Sequence, residues 1–168
     1  METYHGYLDT ALDALLLLEA CRQQVLPYVT NRLDEAQRAD IRSGQIFVWD
    51  QEATGIQRWT DGRRWSSSRP RGNFIIYREL CDDSEIAAAH ARKQAGDSAV
   101  LTSAGLRIPV KAGGLIKRAL SVTTSDGSHF HLVSYYRVDD YERGLLSVPR
   151  HDPRLRNLCL PEGLYPKL

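Results

Sequence analysis

The stretch that decides the fold is GLIKRALSVTTSDGSHFHLVSYYRV, residues 114–138. It contains two runs rich in β-branched and aromatic residues, 114–124 and 129–138, on either side of a Ser-Asp-Gly-Ser segment. An Asp-Gly pair between two such runs is a strong hairpin signal, because both residues tolerate the backbone angles of a tight turn. The sequence therefore predicts a β-hairpin of two long strands.

The second run of this hairpin is apolar on both faces. Alternate residues of a strand share a face, which places Phe130, Leu132, Ser134 and Tyr136 on one side and His129, His131, Val133 and Tyr135 on the other. A strand with one solvated face would instead alternate apolar and polar residues. We therefore expect this strand to be central in its sheet.

The amino-terminal part of the chain predicts two helices. The first is capped by Asp9 or Thr10 and runs to about Gln24. Its predicted inner face carries Leu12, Leu15, Leu16 and Ala20. A second, shorter helix is predicted over 34–42, and Gly44 suits the position after its end.

The rest of the chain adds strands, a break and an irregular tail. Strands are predicted at 45–50 and 73–80, with a turn at 52–55. Residues 82–105 are polar and alanine-rich, which predicts a surface helix and a mobile linker. After Arg137 the spaced prolines predict irregular structure. Helices followed by strands, without an internal repeat, indicate an α+β fold.

The composition predicts one soluble, intracellular domain. The 168 residues are 42% hydrophobic and 26% charged, as in ordinary globular proteins. Cysteines 21, 81 and 159 are few and widely spaced, which argues against a disulfide framework or a cysteine zinc site. The first residues do not form a signal peptide, and the apolar run 15–18 is too short to span a bilayer.

The sequence RWTDGRRWSSSRPRG, residues 58–72, concentrates positive charge. Between residues 56 and 78 there are six arginines and a single acid, Asp61, although the whole chain carries a net charge of only +1. The basic segment also lies between two predicted strands. A basic segment on a slightly acidic body is typical of a site for phosphate or carboxylate groups, whereas solvated basic loops are also common.

The chemistry of this segment suits nucleic acid. Arginine presents a planar set of donors that matches a phosphate or a guanine edge, and it also enters narrow, A/T-rich minor grooves. Thr60 and the serines 66–68 add hydroxyl groups of the kind that bind phosphate oxygens. Gly62 and Gly72 permit close approach or left-handed backbone, and Pro70 stiffens the segment.

The two tryptophans of the segment have two interpretations. Trp59 and Trp65 either stack on bases or pack into the body and hold the loop rigid, and packing is the commoner role of large aromatic residues. Asp61 is expected to organise the loop by binding Arg63 or a backbone N–H, because a carboxylate that faces phosphate would be repelled.

Other functions have weaker support in the sequence. Phosphate-binding glycine motifs and a nucleophile elbow are absent. His129 and His131 share a strand face but lack a third metal ligand nearby in the sequence, so neither a metal nor a cofactor is expected. A module that binds acidic or phosphorylated peptides remains an alternative, and a hydrolase using Asp61 or a histidine is the weaker one.

The chain resembles the WOPR domain of fungal transcription regulators, which control cell-type switching, morphology and pathogenic development. The resemblance covers nearly everything except about 82–110. It is carried by YHGYLDTALDALLLLEACR, RSGQIFVWDQEATGIQRWTDGRRWSSSR, GNFIIYREL, GLIKRALSV, HFHLVSYYRVDD, HDPRLRNL and LYPKL.

The resemblance implies a single domain, 1–168, that binds double-stranded DNA at A/T-rich sites in the nucleus. A first region (1–81) and a second region (111–168) would be joined by a variable linker (82–110). They would intertwine through a mixed, mainly antiparallel sheet with a few helices. We expect a monomer without enzymatic activity, and contacts with other regulators through regions outside this chain.

The residues expected at the DNA follow from the chemistry and the resemblance together. They are Arg32, Arg58, Trp59, Thr60, Gly62, Arg63, Arg64, Trp65, Ser66, Ser67, Ser68, Arg69, Arg71, Asn73, Lys117 and Arg118, with Asp61 and Gly72 organising the loop. Ser67 replaces the proline usual in the family, and Gln57 and Asn31 replace basic residues. Phosphorylation of Thr60 is a further hypothesis, since it would place negative charge at this surface.

Overall fold

A computed structural model describes residues 1–91, 99–101 and 107–168 of the chain. Its strands are β1 (Tyr4–His5), β2 (Gln45–Asp50), β3 (Arg69–Arg71), β4 (Phe74–Arg78), β5 (Ala99–Leu101), β6 (Arg107–Pro109), β7 (Ile116–Thr123) and β8 (His129–Tyr136). Its helices are α1 (Ala11–Arg22), α2 (Glu35–Ala39), α3 (Gln51–Thr54), α4 (Asp83–Ala91) and α5 (Val138–Glu142), with a 3-10 turn at Pro149–His151. The expected α+β fold is confirmed.

Six strands form one sheet in the order β1-β2-β8-β7-β4-β3, and β5 pairs with β6 separately. All of the pairings between these described strands are antiparallel. The predicted hairpin is the β7–β8 pair, in which Thr123 opposes His129. Strand β8 lies between β2 and β7, so its predicted central position is confirmed.

The sheet interleaves the two halves of the chain. Strands β2 and β4 come from residues 1–81 but do not pair with each other, because the β7–β8 hairpin lies between them. Phe47 of β2 opposes Val133 of β8, and Ile75 of β4 opposes Ala119 of β7. The sheet is therefore continuous only when residues from both ends of the sequence are present.

Helix α1 covers one face of the sheet. Its amino terminus is closed by a capping box, in which Thr10 and Asp13 exchange hydrogen bonds with each other's backbone N–H groups. The helix is buried on almost all sides, and Leu17 and Leu18 pack in one cluster with Ile46 and other sheet residues. Leu12, expected on the inner face, is 48% exposed, because its position in the first turn lies beyond this cluster.

The opposite face of the sheet carries a second core. Phe47, Trp49, Val133 and Tyr135 form its sheet side, and Trp59 and Trp65 of the basic segment pack against the cluster. Its remaining members are Val29, Leu33, Ile41, Ile56 and Leu115, and Ala119 also packs against it. The basic segment thus lies on the side of the sheet that α1 leaves free.

Several predicted elements differ from the structure. The turn expected at 52–55 belongs to α3, a one-turn helix that ends at Gly55 in left-handed conformation. The tail expected to be irregular after Arg137 begins with α5. Strands β5 and β6 lie within the expected linker.

The expected surface helix is α4, whereas the mobile-linker prediction falls largely on residues outside the described ranges. None of the helices in the described ranges has the length and apolar character needed to cross a membrane.

Candidate nucleic-acid interface

The basic segment is attached to the sheet by its two tryptophans. The Trp59 ring stacks on Trp49, with ring centroids 4.6 Å apart and an angle of 20° between the planes. Its indole N–H donates a hydrogen bond of 2.8 Å to the hydroxyl of Tyr135. The indole N–H of Trp65 donates to the Asp61 carboxylate at 3.0 Å. Both aromatic rings therefore anchor the segment in this structure.

Asp61 is the centre of a buried network beneath the segment. It is 5% exposed, and its Oδ2 accepts hydrogen bonds from the Tyr135 hydroxyl at 2.7 Å and from the Lys117 ammonium at 3.1 Å. Its Oδ1 accepts from the backbone N–H of Arg63 at 3.1 Å. Burial by itself would raise the pKa of Asp61, but Lys117 and these hydrogen bonds outweigh burial and hold the pKa below its ordinary value.

Lys117 was expected at the DNA surface, but its side chain is only 12% exposed. Its ammonium lies 4.5 Å from the ring centroid of Trp65 and 4.9 Å from that of Tyr77. Burial lowers the pKa of Lys117, and the attraction of Asp61 opposes this shift only in part. The ion pair with Asp61 therefore places this lysine inside the fold.

Arg118, the other basic residue expected from the second region, is also internal. It is 7% exposed, and its guanidinium donates a 2.7 Å hydrogen bond to the Tyr7 hydroxyl. The guanidinium carbon lies 4.3 Å from the ring centroid of Phe74. Because β7 turns this side chain towards the α1 face, Arg118 lies on the opposite side of the sheet from the tryptophans.

Arg63 and Arg64 also have partners within the protein. Arg63 pairs with Glu79 at 3.1 Å, and their side chains are 21% and 6% exposed. The other carboxylate oxygen of Glu79 accepts a hydrogen bond from the backbone N–H of Leu115. Arg64, which is more exposed, pairs with Asp83 at the start of α4 at 3.0 Å. Arg63 thus links the basic segment to the sheet.

The remaining predicted contacts are exposed except for Ser66. Arg32 donates a 3.0 Å hydrogen bond to the carbonyl of Arg58, which brings a second exposed arginine beside the segment. Ser66 is half-buried, and its hydroxyl accepts from the backbone N–H of Arg78. The predicted positions that the structure leaves exposed are Arg32, Arg58, Thr60, Gly62, Ser67, Ser68, Arg69, Arg71, Gly72 and Asn73.

Arg69, Arg71 and Gly72 lie on an element that was not predicted. Arg69 and Arg71 belong to β3, the edge strand, where they oppose Ile76 and Phe74 of β4. Gly72 has a φ angle of 61°, in the left-handed region that the β3–β4 turn requires. The arginine side chains are therefore held by a hairpin and not by a free loop.

The histidine pair has structural partners. His131 stacks on Trp49 at 5.0 Å, and its two ring nitrogens lie within hydrogen-bond distance of Gln51 and Ser121. His129 pairs with Glu52. No group of three or more histidine, cysteine or acidic residues suited to a metal ion occurs in the described ranges.

Two residues that organise the site were missed from the sequence. Tyr135 bridges Trp59 and Asp61, and Glu79 bridges Arg63 and Leu115, the residue before β7. The alternation of β8 contained a signal for Tyr135, since it places this residue on the same face as Val133. Glu79 had no comparable signal, because its partners are distant in the sequence.

A family model described as the Gti1/Pac2 family matches residues 3–104. The chain is 36% identical to the cAMP-independent regulatory protein pac2 of Schizosaccharomyces pombe, in an alignment that covers 99% of this chain and 83% of that protein. It is 35% identical to the global transcription regulator sge1 of Gibberella fujikuroi, with 93% of this chain and 58% of that protein covered. The chain thus spans little more than half of sge1.

Solved structures give the same assignment. The chain is similar to the WOPR domain of Wor1 from Candida albicans in its complex with a 13-bp double-stranded DNA, with a TM-score of 0.74 and 28% identity. The match covers 97% of this chain and 93% of that chain. A complex of the same domain with a 17-bp DNA matches with a TM-score of 0.71. The resemblance to the WOPR domain is confirmed, and the chain belongs to the Gti1/Pac2 family.

Proposed function

We propose that this chain is a sequence-specific double-stranded DNA-binding domain of a fungal transcription regulator, acting in the nucleus without enzymatic activity. The observation that carries the proposal is a set of exposed arginines and hydroxyls on and beside a segment that Asp61 and Tyr135 anchor. Arg32, Arg58, Arg69 and Arg71 supply the positive charge. The similarity to a WOPR domain whose structure is known in complex with DNA supports the same function.

The proposed DNA contacts are those residues expected from the sequence that the structure leaves exposed or partly exposed. They comprise the exposed residues Arg32, Arg58, Thr60, Gly62, Ser67, Ser68, Arg69, Arg71 and Asn73, together with the partly exposed Arg64 and Ser66. Trp59, Trp65, Arg63, Lys117 and Arg118 act from inside the fold. We propose an A/T-rich site, because an arginine held on a rigid loop suits the narrow minor groove of such DNA.

Selection of duplexes from a random library tests the proposal directly. We expect recovery of one preferred site, and we expect affinity for it to fall steeply with salt, by a log–log slope of ~0.9 for each phosphate neutralised. Affinity that depends on neither duplex sequence nor salt would contradict the proposal.

The alternative of an acidic or phosphorylated peptide ligand uses the same arginines. Competition between a phosphopeptide and the selected duplex at matched salt separates the two functions. We expect the duplex to displace the peptide, since the exposed arginines extend from the 58–68 segment onto β3. Preferential retention of the peptide would favour the alternative.

A further inference from the structure

The part of the basic segment before β3 depends on side-chain anchors for its conformation. Residues 57–68 contain no helix or strand apart from an isolated bridge between Trp65 and Glu79. Five arginines lie between residues 58 and 71, and two of them, Arg63 and Arg64, are held by ion pairs with Glu79 and Asp83. Side-chain contacts, and not regular backbone hydrogen bonding, must therefore hold this part of the segment in one conformation.

The anchors come from the other half of the chain. Tyr135 of β8 donates to Asp61 at 2.7 Å and accepts from Trp59 at 2.8 Å, so one hydroxyl joins two points of the segment. Lys117 of β7 adds the ion pair to Asp61 and lies against the ring of Trp65. These two residues together reach Trp59, Asp61 and Trp65.

The buried ion pair is better suited to selecting a conformation than to adding stability. Moving a lysine and a carboxylate out of water costs free energy that their attraction offsets only in part. At Lys117 burial outweighs attraction and lowers the pKa, whereas at Asp61 the attraction of Lys117 and the hydrogen bonds outweigh burial and lower the pKa. A pair of this kind favours the one arrangement in which both charges have partners.

We propose that Lys117 and Tyr135 are positioning residues for DNA binding, which hold the segment in its binding conformation without touching the DNA. This inference rests on the proposed function. It replaces the expected DNA contact of Lys117 with an internal role. If a variant adopts the binding conformation for only a fraction of the time, its apparent Kd rises by the inverse of that fraction.

This mechanism predicts a specific salt dependence. A lost phosphate contact lowers the log–log salt slope by ~0.9, whereas a reduced population of the binding conformation weakens binding equally at every salt concentration. We expect Tyr135→Phe and Lys117→Met to weaken binding of the selected duplex by about tenfold, the value for a binding conformation populated one tenth of the time. We expect the slope of each variant to equal that of the unmodified protein.

Tyr165→Phe is a matched control. The Tyr165 hydroxyl also donates to a buried carboxylate, that of Glu19, at 2.6 Å, but on the α1 side of the sheet. Both substitutions remove one tyrosine–carboxylate hydrogen bond and keep the ring. We expect Tyr165→Phe to leave the Kd for the selected duplex unchanged.

The hydrogen-exchange rates of the three indole N–H groups report on the conformation of the segment in the absence of DNA. Trp59 and Trp65 donate within the network, whereas Trp49 donates to the carbonyl of Ile56. We expect Tyr135→Phe to accelerate exchange at Trp59 and to leave Trp49 unchanged. This comparison also detects a variant that has simply unfolded, because all three signals would then exchange rapidly.

The outcomes separate the two proposals. If the unmodified protein binds no duplex, the proposed function and this inference both fail. If it binds and Tyr135→Phe behaves like Tyr165→Phe, only the positioning role is overturned. A Lys117→Met slope lowered by ~0.9 overturns the internal role of Lys117, because that loss identifies a phosphate contact.

Discussion

Arg58 and Arg63 lie in the same loop, yet their guanidinium groups meet different surroundings. Arg58 is exposed, with its carbonyl bound by Arg32. Arg63 is paired with the buried carboxylate of Glu79. The sequence alone could not show which of the two arginines is exposed, because it does not reveal which one has an acidic partner in the folded protein. We therefore expect their substitutions to affect different properties of the protein.

Substitution Arg58→Ala tests whether an exposed arginine of the segment contacts the DNA. We expect weaker binding to the selected duplex and a salt slope lower by ~0.9 if the guanidinium binds a phosphate, with little change in the free energy of unfolding. Arg156→Ala is the control, since Arg156 is exposed on the carboxyl-terminal tail. Equal affinities for the two variants in a fluorescence anisotropy titration would exclude Arg58 from the interface.

The Asp61 carboxylate makes the loop insensitive to pH near neutrality. Its pKa lies below the ordinary 3.8, so its contribution to stability is complete above that value and is lost as the pH falls through the lowered pKa. We expect the indole N–H signal of Trp65, which donates to Asp61, to stay constant between about pH 7 and about pH 5, and to move only in stronger acid. Movement near pH 6 would contradict this assignment.

At the scale of elements, the local sequence was sufficient to predict the β7–β8 hairpin but not strand β3. The β7–β8 hairpin was predicted because an Asp-Gly turn and its flanking runs are contiguous in the sequence. Strand β3 was missed because its three residues, Arg-Pro-Arg, contain no apolar residue apart from Pro70, which is disfavoured in strands. It forms through pairing with β4, and Pro70 is tolerated because the strand lies at the edge.

The internal positions of Lys117 and Arg118 could not be predicted for a related reason. Each has a polar partner, Asp61 or Tyr7, that is 56 or 111 positions away in the sequence. A charged residue on a predicted strand is normally expected to face solvent. Only the sheet topology brings these partners together.

Glu79, the residue after β4, binds both Arg63 of the basic segment and Leu115 just before β7, so its loss is expected to lower stability. Substitution Glu79→Ala would leave Arg63 partly buried without its carboxylate and the Leu115 N–H without an acceptor. We expect the free energy of unfolding to fall by about 3 kcal/mol, measured by urea denaturation.

Glu162→Ala, at an exposed position, is the control for this measurement and should stay within about 0.5 kcal/mol of the unmodified protein. An equally small change in the free energy of unfolding for Glu79→Ala would show that water replaces the interactions of Glu79 with Arg63 and with the Leu115 N–H.

At the scale of the whole molecule, the strand order makes the two halves interdependent. Strands β2 and β4 are joined only through β8 and β7. We expect separate fragments 1–91 and 107–168 to lack the cooperative thermal transition of the full chain, because neither can complete the sheet. Circular dichroism of each fragment and of their mixture checks this. Cooperative unfolding of the first fragment alone would falsify the expectation.

The same strand order has a consequence during protein synthesis. The centre of the sheet is its last part to be translated, since β8 ends only at Tyr136. Until then the nascent chain carries three tryptophans and the whole basic segment without the strands that bury and anchor them. Exposed apolar surface of this kind attracts chaperones and promotes aggregation. We therefore expect the domain to fold only after β8 has been synthesised, and a chain truncated before β8 to lack the completed sheet.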